Sequence, residues 1–467
     1  MTMSYAPAPP RSRSSGRVRL NVGGRIFETT ADTLASAGRD TMLGAMVDAS
    51  WNPGLDPSAT PEYFIDRDPT SFAVLLDLLR TGALHVPPGL PEPALCREAL
   101  YYGLLDRVRA ARIPDLDADR LRLAASVPGR APGDGTAVRA APDGGCCVAH
   151  GAAGVRVYSW LLEERPPVHL DHHAPVNDAA FLDASTLLVA AQERPTGNRG
   201  GGGVAAFSAL TGQLRHRLRV AHGRQPRPFT ATALALDDGH GGSNYQVFAS
   251  CKGRVNEYGI GAWDAATGDQ TGFFYDPPAG CALGDAGTLQ WVDATNTLMA
   301  ATMFPRADAS SLALLDFRAN RVAWSWTDGG STEEKRAVHA AAMEDGRTVC
   351  VVNQYEDLGF LDLRKEGGVR WRSGSKLGMM MTSGKSFKAR EEEETCYPKL
   401  AVHGGRLFAS MNDAISVFSG PDHVHTSTLR GSGSGICDFS VGGDRLFVLH
   451  NDENVFDVWE TPPPPII

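Results

Sequence analysis

Four short stretches of the chain group residue types that elsewhere do chemistry. RVRLNVGGRIFETT (17–30) places Gly23 and Gly24 inside an apolar, strand-like run. A glycine pair either lets backbone N–H groups close on a phosphate or simply turns the chain. GMMMTSGKS (378–386) approaches the phosphate loop G-x-x-x-x-G-K-[ST], but five residues separate Gly378 from Gly384. KSFKAREEEE then reads as a charged loop, not as the helix whose N-terminus would face a phosphate. HLDHH (169–173) sets His169, Asp171, His172 and His173 side by side. Zinc needs three or four converging ligands, and adjacent histidines on a strand point to opposite faces, so the stretch reads as a solvated turn. The eight cysteines (96, 146, 147, 251, 281, 350, 396 and 437) contain no C-x-x-C pair and read as buried reduced thiols. G-x-S-x-G and H-E-x-x-H are also missing. No catalytic, cofactor-binding or metal-ligating residue is therefore assigned, and the chain is expected to be non-enzymatic.

Composition narrows the class further. At 467 residues, 42% hydrophobic and 21% charged, the chain has room for two or three domains of ordinary globular make-up. No apolar run approaches the ~18 residues of a membrane span. MTMSYAPAPPRSRSSG (1–16) has no apolar h-region and reads as a disordered tail, so a cytoplasmic or nuclear location is expected. A net charge of −9 argues against nucleic-acid binding, which needs a basic surface. Seven lysines are present, the first at Lys252, and five of them (365, 376, 385, 388 and 399) fall close together.

The elements that hold these residues follow two grammars. Val18, Leu20 and Val22 alternate with Arg19 and Asn21, the period of a half-buried strand. Two strand-like runs separated by Gly23-Gly24 fit a tight hairpin, whose primed turn needs φ > 0 at both central positions. Thr30-Ala-Asp-Thr-Leu and Asp40-Thr-Met-Leu look like capped helix starts, and EYFID (62–66) like another strand. Asp68 suits an N-cap, Pro69 the first helical position, and Phe72, Leu75, Leu76 and Leu79 share a face before Gly82 stops the helix. A last helix carries Ala94, Leu95, Ala99 and Leu100 up to Gly103.

Beyond a Pro- and Gly-rich connector the helices give way to short strands and turns. A strand–turn–strand unit recurs at VRVYSW (155–160), VAAFSALTGQL (204–214), IGAWDAATGDQ (260–270), LALLDFRANRV (312–322), LGFLDLRKEGG (358–368), ISVFSGPDHV (415–424) and VFDVWE (455–460). The spacing is that of a four-stranded propeller blade. It gives seven blades, or six if the first and last units share one. VFDVWE is expected to pair with a strand from the start of the domain, such as RLRLAAS (120–126), closing the ring and removing exposed edges.

The first region resembles the potassium-channel-tetramerisation type of BTB/POZ domain. The resemblance rests on LNVGGRIFETT (20–30), EYFIDRDPTSFAVLLDLLRTGALHVP (62–87) and EALYYGLL (98–105), in that order. It covers about a fifth of the chain. With no membrane spans following, and no His/Cys cluster at the family's zinc spacing, the resemblance is to the soluble branch. Its pairing with a WD-repeat-like propeller is similar to a plant BTB/POZ-propeller group. The expected fold is thus an α+β BTB/POZ domain (17–113) followed by an all-β propeller (136–461), with a linker at 114–135 and tails at 1–16 and 462–467.

The resemblance implies a substrate adaptor of a cullin-3-type RING ubiquitin ligase. The BTB domain would self-associate, as a tetramer or pentamer, and bind the cullin, while the propeller would recruit an unidentified target protein. The alternative is an oligomeric scaffold or regulator without a cullin. Asp66, Arg67 and Asp68 carry two readings: local pairing plus a helix cap, or, from the family, part of the subunit interface. The loop DASWNPGLDPSATP (48–61) matches no family motif, and cullin binding is carried by the resemblance alone. Residues 113–467 hold 33 basic and 42 acidic side chains, which favours basic target segments. On the ligase reading, self-modification would fall on the lysines from 365 to 399 or on Lys252 and Lys335.

Overall fold

The computed structural model describes residues 16–462 except 40, 49–61, 113–115, 130–134, 152–153, 171–173, 193–201, 223–224, 228, 238–244, 254–257, 278–281, 329–334, 366, 373–395, 432, 434, 443 and 452–454. GMMMTSGKS, Asp171-His172-His173, most of the 48–61 loop, and Lys376, Lys385 and Lys388 lie outside the described residues. The chain forms two units, Met1–Pro114 with Pro463–Ile467, and Asp115–Pro462.

In the first unit, β1 (Arg17–Val22) and β2 (Arg25–Thr30) form an antiparallel hairpin, and β3 (Glu62–Ile65) runs parallel to β1 on its other side. The turn has φ = +53° at Gly23 and +88° at Gly24, as a primed turn requires. A phosphate grip is not what the pair forms. Gly23 carries a second constraint that spacing does not reveal. Its N–H donates to Ile65 O at 2.9 Å, and a Cβ there would lie 2.5 Å from the Arg67 carbonyl oxygen. The glycine thus lets the hairpin close against the end of β3.

Val18, Leu20, Val22 and Ile65 turn inward onto α1 (Ala31–Ala35), α2 (Met42–Val47), α3 (Pro69–Thr81), α4 (Glu92–Tyr102) and α5 (Leu105–Arg112). Helix α3 starts and stops as its residues dictate: Asp68 accepts from Ser71 N at 2.7 Å, and Gly82 ends it at φ = +74°. On α4 the buried stripe is Leu95, Ala99 and Tyr102. Leu100 falls off that stripe, one residue past Ala99 and about 100° around the helix, and is exposed.

The second unit is a propeller. Among the described residues, consecutive stretches form antiparallel sheets at 135–158 (three strands) and at 176–218, 234–275, 288–327, 337–371 and 400–430 (four strands each). The last sheet takes three strands from 436–460 and its fourth, β4 (Arg122–Pro128), from the start of the unit, with Val455 opposite Pro128 and Glu460 opposite Arg122. Part of the 114–135 segment, read above as linker, is therefore a sheet strand. The edge of Val455–Glu460 must be paired, and β4 is the strand that pairs it.

The recurring sequence unit proves to be the third strand, its turn and the fourth strand. Asp264 Oδ1 accepts from Ala266 N and Thr267 N, Asp316 Oδ1 from Arg318 N and Ala319 N, and Asp362 Oδ1 from Arg364 N. In these three units an Asx turn joins the third strand to the fourth. The third–fourth strand register slips by one in five of the sheets, at Phe207, Trp263, Leu315, Phe418 and Trp459, the bulge that re-aims the outer strand. Each pair of neighbouring sheets buries its own apolar cluster, and Val138, Cys146 and Val148 packing on Phe447, Leu449 and Phe456 joins the last sheet to the first. No helix among the described residues is long and apolar enough to cross a membrane.

Candidate interaction sites

On the first unit, the outer face of the three-stranded sheet carries two rows. In one, Arg19 lies between Glu28 and Glu62, 2.7 and 4.0 Å away. In the next, Asn21 lies between Ile26 and Phe64. Both apolar neighbours are exposed, Phe64 at 68%, while the buried Asn21 Oδ1 has no hydrogen-bond partner among the described residues. A phenylalanine this exposed beside an orphaned acceptor is a surface built to be covered.

The three charged residues after β3 do different work. Asp68 is the N-cap, and its carboxyl is held below the usual range by the Ser71 hydrogen bonds. Arg67 does not pair with Asp66. Its guanidinium forks onto Glu98 of α4, Nε to Oε2 at 3.0 Å and an Nη to Oε1 at 2.8 Å, and lies 4.3 Å over the Tyr101 ring. A planar fork matches a carboxylate and an aromatic face together, and α4 offers both one turn apart. Asp66 is exposed.

In the propeller, the first strands of the sheets surround an axial cavity of about 650 Å³. A chain of polar contacts runs from sheet to sheet around it. Asp438 accepts from Val138 N at 3.0 Å, from an Arg139 Nη at 2.5 Å and from Lys399 Nζ at 2.9 Å. Arg139 also donates to Asp178 Oδ1 at 2.6 Å, and Asp178 Oδ2 accepts from Leu234 N at 3.0 Å. Thr232 Oγ1 donates to Ala286 O at 2.8 Å. Gln290 accepts from Ala342 N at 2.8 Å and donates to Ala342 O at 3.0 Å, and His339 Nδ1 accepts from Leu400 N at 3.2 Å. Every sheet is thereby tied to the next by groups that would otherwise be buried unpaired.

Electrostatics follow from that geometry. Burial alone would raise the Asp438 carboxyl, but the Arg139 and Lys399 charges outweigh it and hold it down to about 2. Burial, helped by the Lys399 charge, pushes His339 down to about 3, so its imidazole is neutral and free to accept. Sequence reading missed Arg139, Asp178, His339, Lys399 and Asp438. Each lies in or next to the first strand of its sheet, but no spacing links residues up to 300 positions apart.

A third cluster looks catalytic by composition. Asp457 accepts from Ser126 Oγ at 2.5 Å and contacts His450 Nε2 at 3.0 Å. The carboxylate sits in the middle, between hydroxyl and imidazole, whereas a Ser-His-Asp triad has the imidazole there. Asp457 and His450 are fully buried. The trio fastens β4 to the closing sheet. Burial also pushes the Cys147 thiol up to about 12 and raises Cys146, Cys251 and Cys350, leaving them poor nucleophiles. Among the described residues no group of three or more His, Cys, Asp or Glu is arranged to hold a metal ion.

Known proteins match in the same two parts. The family described as At2g24240-like, C-terminal beta propeller, matches residues 129–461, and the BTB/POZ domain matches residues 18–110. The BTB/POZ domain-containing protein At2g24240 of Arabidopsis thaliana is 55% identical over 97% of this chain and 99% of its own. At4g30940 of the same plant is 52% identical over 97% and 99%. The A-type voltage-gated potassium channel KCND3 of Rattus norvegicus is 38% identical over 107 residues, 23% of this chain and 15% of the channel. The chain thus belongs to the At2g24240-like family, in which a BTB/POZ domain of the potassium-channel-tetramerisation type precedes a C-terminal β-propeller.

Proposed function

We propose that this protein is an oligomeric, non-catalytic substrate adaptor of a cullin-3-type ubiquitin ligase. The BTB unit self-associates and holds the cullin, and the propeller recruits a target protein. The observation that carries the reading is the outer sheet face of the BTB unit, where exposed Phe64 and Ile26 flank the orphaned Asn21 acceptor. A second copy packed there would remove the apolar surface from water and supply the missing donor. Asp66, Arg67 and Asp68, at the end of β3, would border that contact. Self-association multiplies propellers, so weak single contacts with a target combine.

Light scattering on the full chain tests self-association: a tetramer or pentamer is expected, and Phe64→Asp should return it to monomer with its folding intact. Co-purification with a cullin-3-type scaffold tests the rest. An oligomer that never retains the cullin would make the protein a scaffold or regulator instead.

A further inference from the structure

The net charge of residues 113–467 favours basic target segments, but the lining of the axial cavity has the opposite bias. Among the described residues, two carboxylates face it, those of Asp178 and Asp438, and three cations, those of Arg139, Arg306 and Lys399. The acids are turned away from solvent: 12% and 4% of their side-chain surface is accessible, against 30% for Arg139 and 32% for Lys399. Both carboxylates are also engaged by backbone N–H groups, Val138 N and Leu234 N. Lys399 donates one ammonium hydrogen to Asp438 and has two more to offer. Arg306 is exposed at the rim. Beside it, Met303, Phe304 and Tyr397 form an apolar wall, with the two rings edge-to-face at 6.2 Å and the Arg336 guanidinium 5.7 Å over Phe304.

We propose that this cavity is the target-recognition site of the propeller, and that it takes an acidic peptide segment. A glutamate or aspartate side chain would enter toward Lys399 and Arg306, while a neighbouring apolar side chain would lie on Phe304 and Tyr397. A volume of about 650 Å³ holds several side chains of an extended segment. A fixed carboxylate has access to ammonium and guanidinium donors that the internal acids leave open. A basic segment would meet exposed cations and find both acids already committed. This inference deepens the adaptor reading and rests on the propeller being its target-binding part.

The test uses the full-length protein and three fluorescein-labelled nonapeptides: Gly-Glu-Glu-Leu-Glu-Tyr-Glu-Glu-Gly, its analogue with every Glu replaced by Gln, and its analogue with every Glu replaced by Lys. Fluorescence anisotropy should show the acidic peptide binding at least tenfold more tightly than the other two, and weakening as salt rises from 50 to 300 mM. Arg306→Glu, at an exposed site, should reduce that binding at least tenfold, and Lys399→Met should do the same. Equal binding of the Lys peptide, a Kd for the acidic peptide above about 1 mM, or full affinity in Arg306→Glu would each overturn the proposal. Cullin retention is measured on the same Arg306→Glu protein. Its persistence together with unchanged peptide binding overturns this inference alone, whereas its absence from the wild type overturns the cullin part of the adaptor reading and leaves the peptide result standing.

Discussion

Replacing Asp438 by alanine should unlock the propeller where its first and last sheets meet. The substitution leaves Val138 N–H without its acceptor, removes one of the two carboxylates that hold Arg139, and strips Lys399 of its partner. An orphaned buried N–H costs about 1–3 kcal/mol, and breaking a buried ion pair about 3–5 kcal/mol. Arg139 keeps Asp178, and both cations keep about a third of their surface in water, which places the sum near the lower end, at about 3 kcal/mol. For a unit of this size that corresponds to a melting temperature lower by roughly 4 °C. Seven of the eight tryptophans lie in the propeller unit, so urea unfolding followed by tryptophan fluorescence reads this unit directly. Asp438→Asn, which keeps an acceptor for Val138, should lose clearly less. The pH dependence has a defined sign. With its carboxyl held down to about 2 against 3.8 in the free side chain, Asp438 contributes stability above pH ~4 that disappears as the pH falls through 2. The variant's profile should therefore be flatter there. A loss under about 1 kcal/mol, or an Asn variant as damaged as the Ala variant, would refute the ring as a source of stability.

Five further outcomes are expected. Gly23→Ala should cost about 3 kcal/mol and abolish self-association, because its Cβ meets the Arg67 carbonyl. Gly24→Ala, which has open space and a positive φ alone, should cost about 1 kcal/mol, as urea unfolding and light scattering would show. Because His339 is held neutral down to about pH 3, the unfolded chain takes up a proton below pH 6.5 that the folded chain refuses. Stability should fall by up to ~1.4 kcal/mol per pH unit across that window, and acid titration of His339→Gln should show a shallower fall. Ser126→Ala should cost about 1 kcal/mol without creating or removing any hydrolytic activity, as urea unfolding and an esterase assay would show. On the adaptor reading, mass spectrometry of the protein with its cullin should find ubiquitin on Lys365, which is exposed and 3.6 Å from Asp362, rather than on Lys399, whose ammonium is held by the buried Asp438.

Much of this protein is written in short stretches of its sequence. Val18-x-Leu20-x-Val22 determined a strand and the face it buries, Gly23-Gly24 its turn, and Asp68-Pro69 with Gly82 the two ends of α3, because each depends on neighbours a few residues away. Asp264, Asp316 and Asp362 determined Asx turns for the same reason, and the recurrence of the strand–turn–strand unit at the spacing of a blade pointed to the propeller. Leu100 gives no sign in the sequence that it is exposed, because an apolar residue on a helix states only that some face exists, not which face the rest of the fold will cover. Arg67 was paired with its sequence neighbour, while the fold gave it Glu98 and the Tyr101 ring, since β3 and α4 meet only after the core between them has formed. The axial cavity lay furthest from view. Arg139 and Asp438 stand 299 residues apart, and they meet because β4 closes the ring of sheets. A polar residue at the start of a strand carries no mark of what the other sheets will place opposite it. Sequence determined the pieces through local sterics and hydrogen bonding, and closure of the ring alone decided which charges are buried, which remain open, and what the cavity is able to hold.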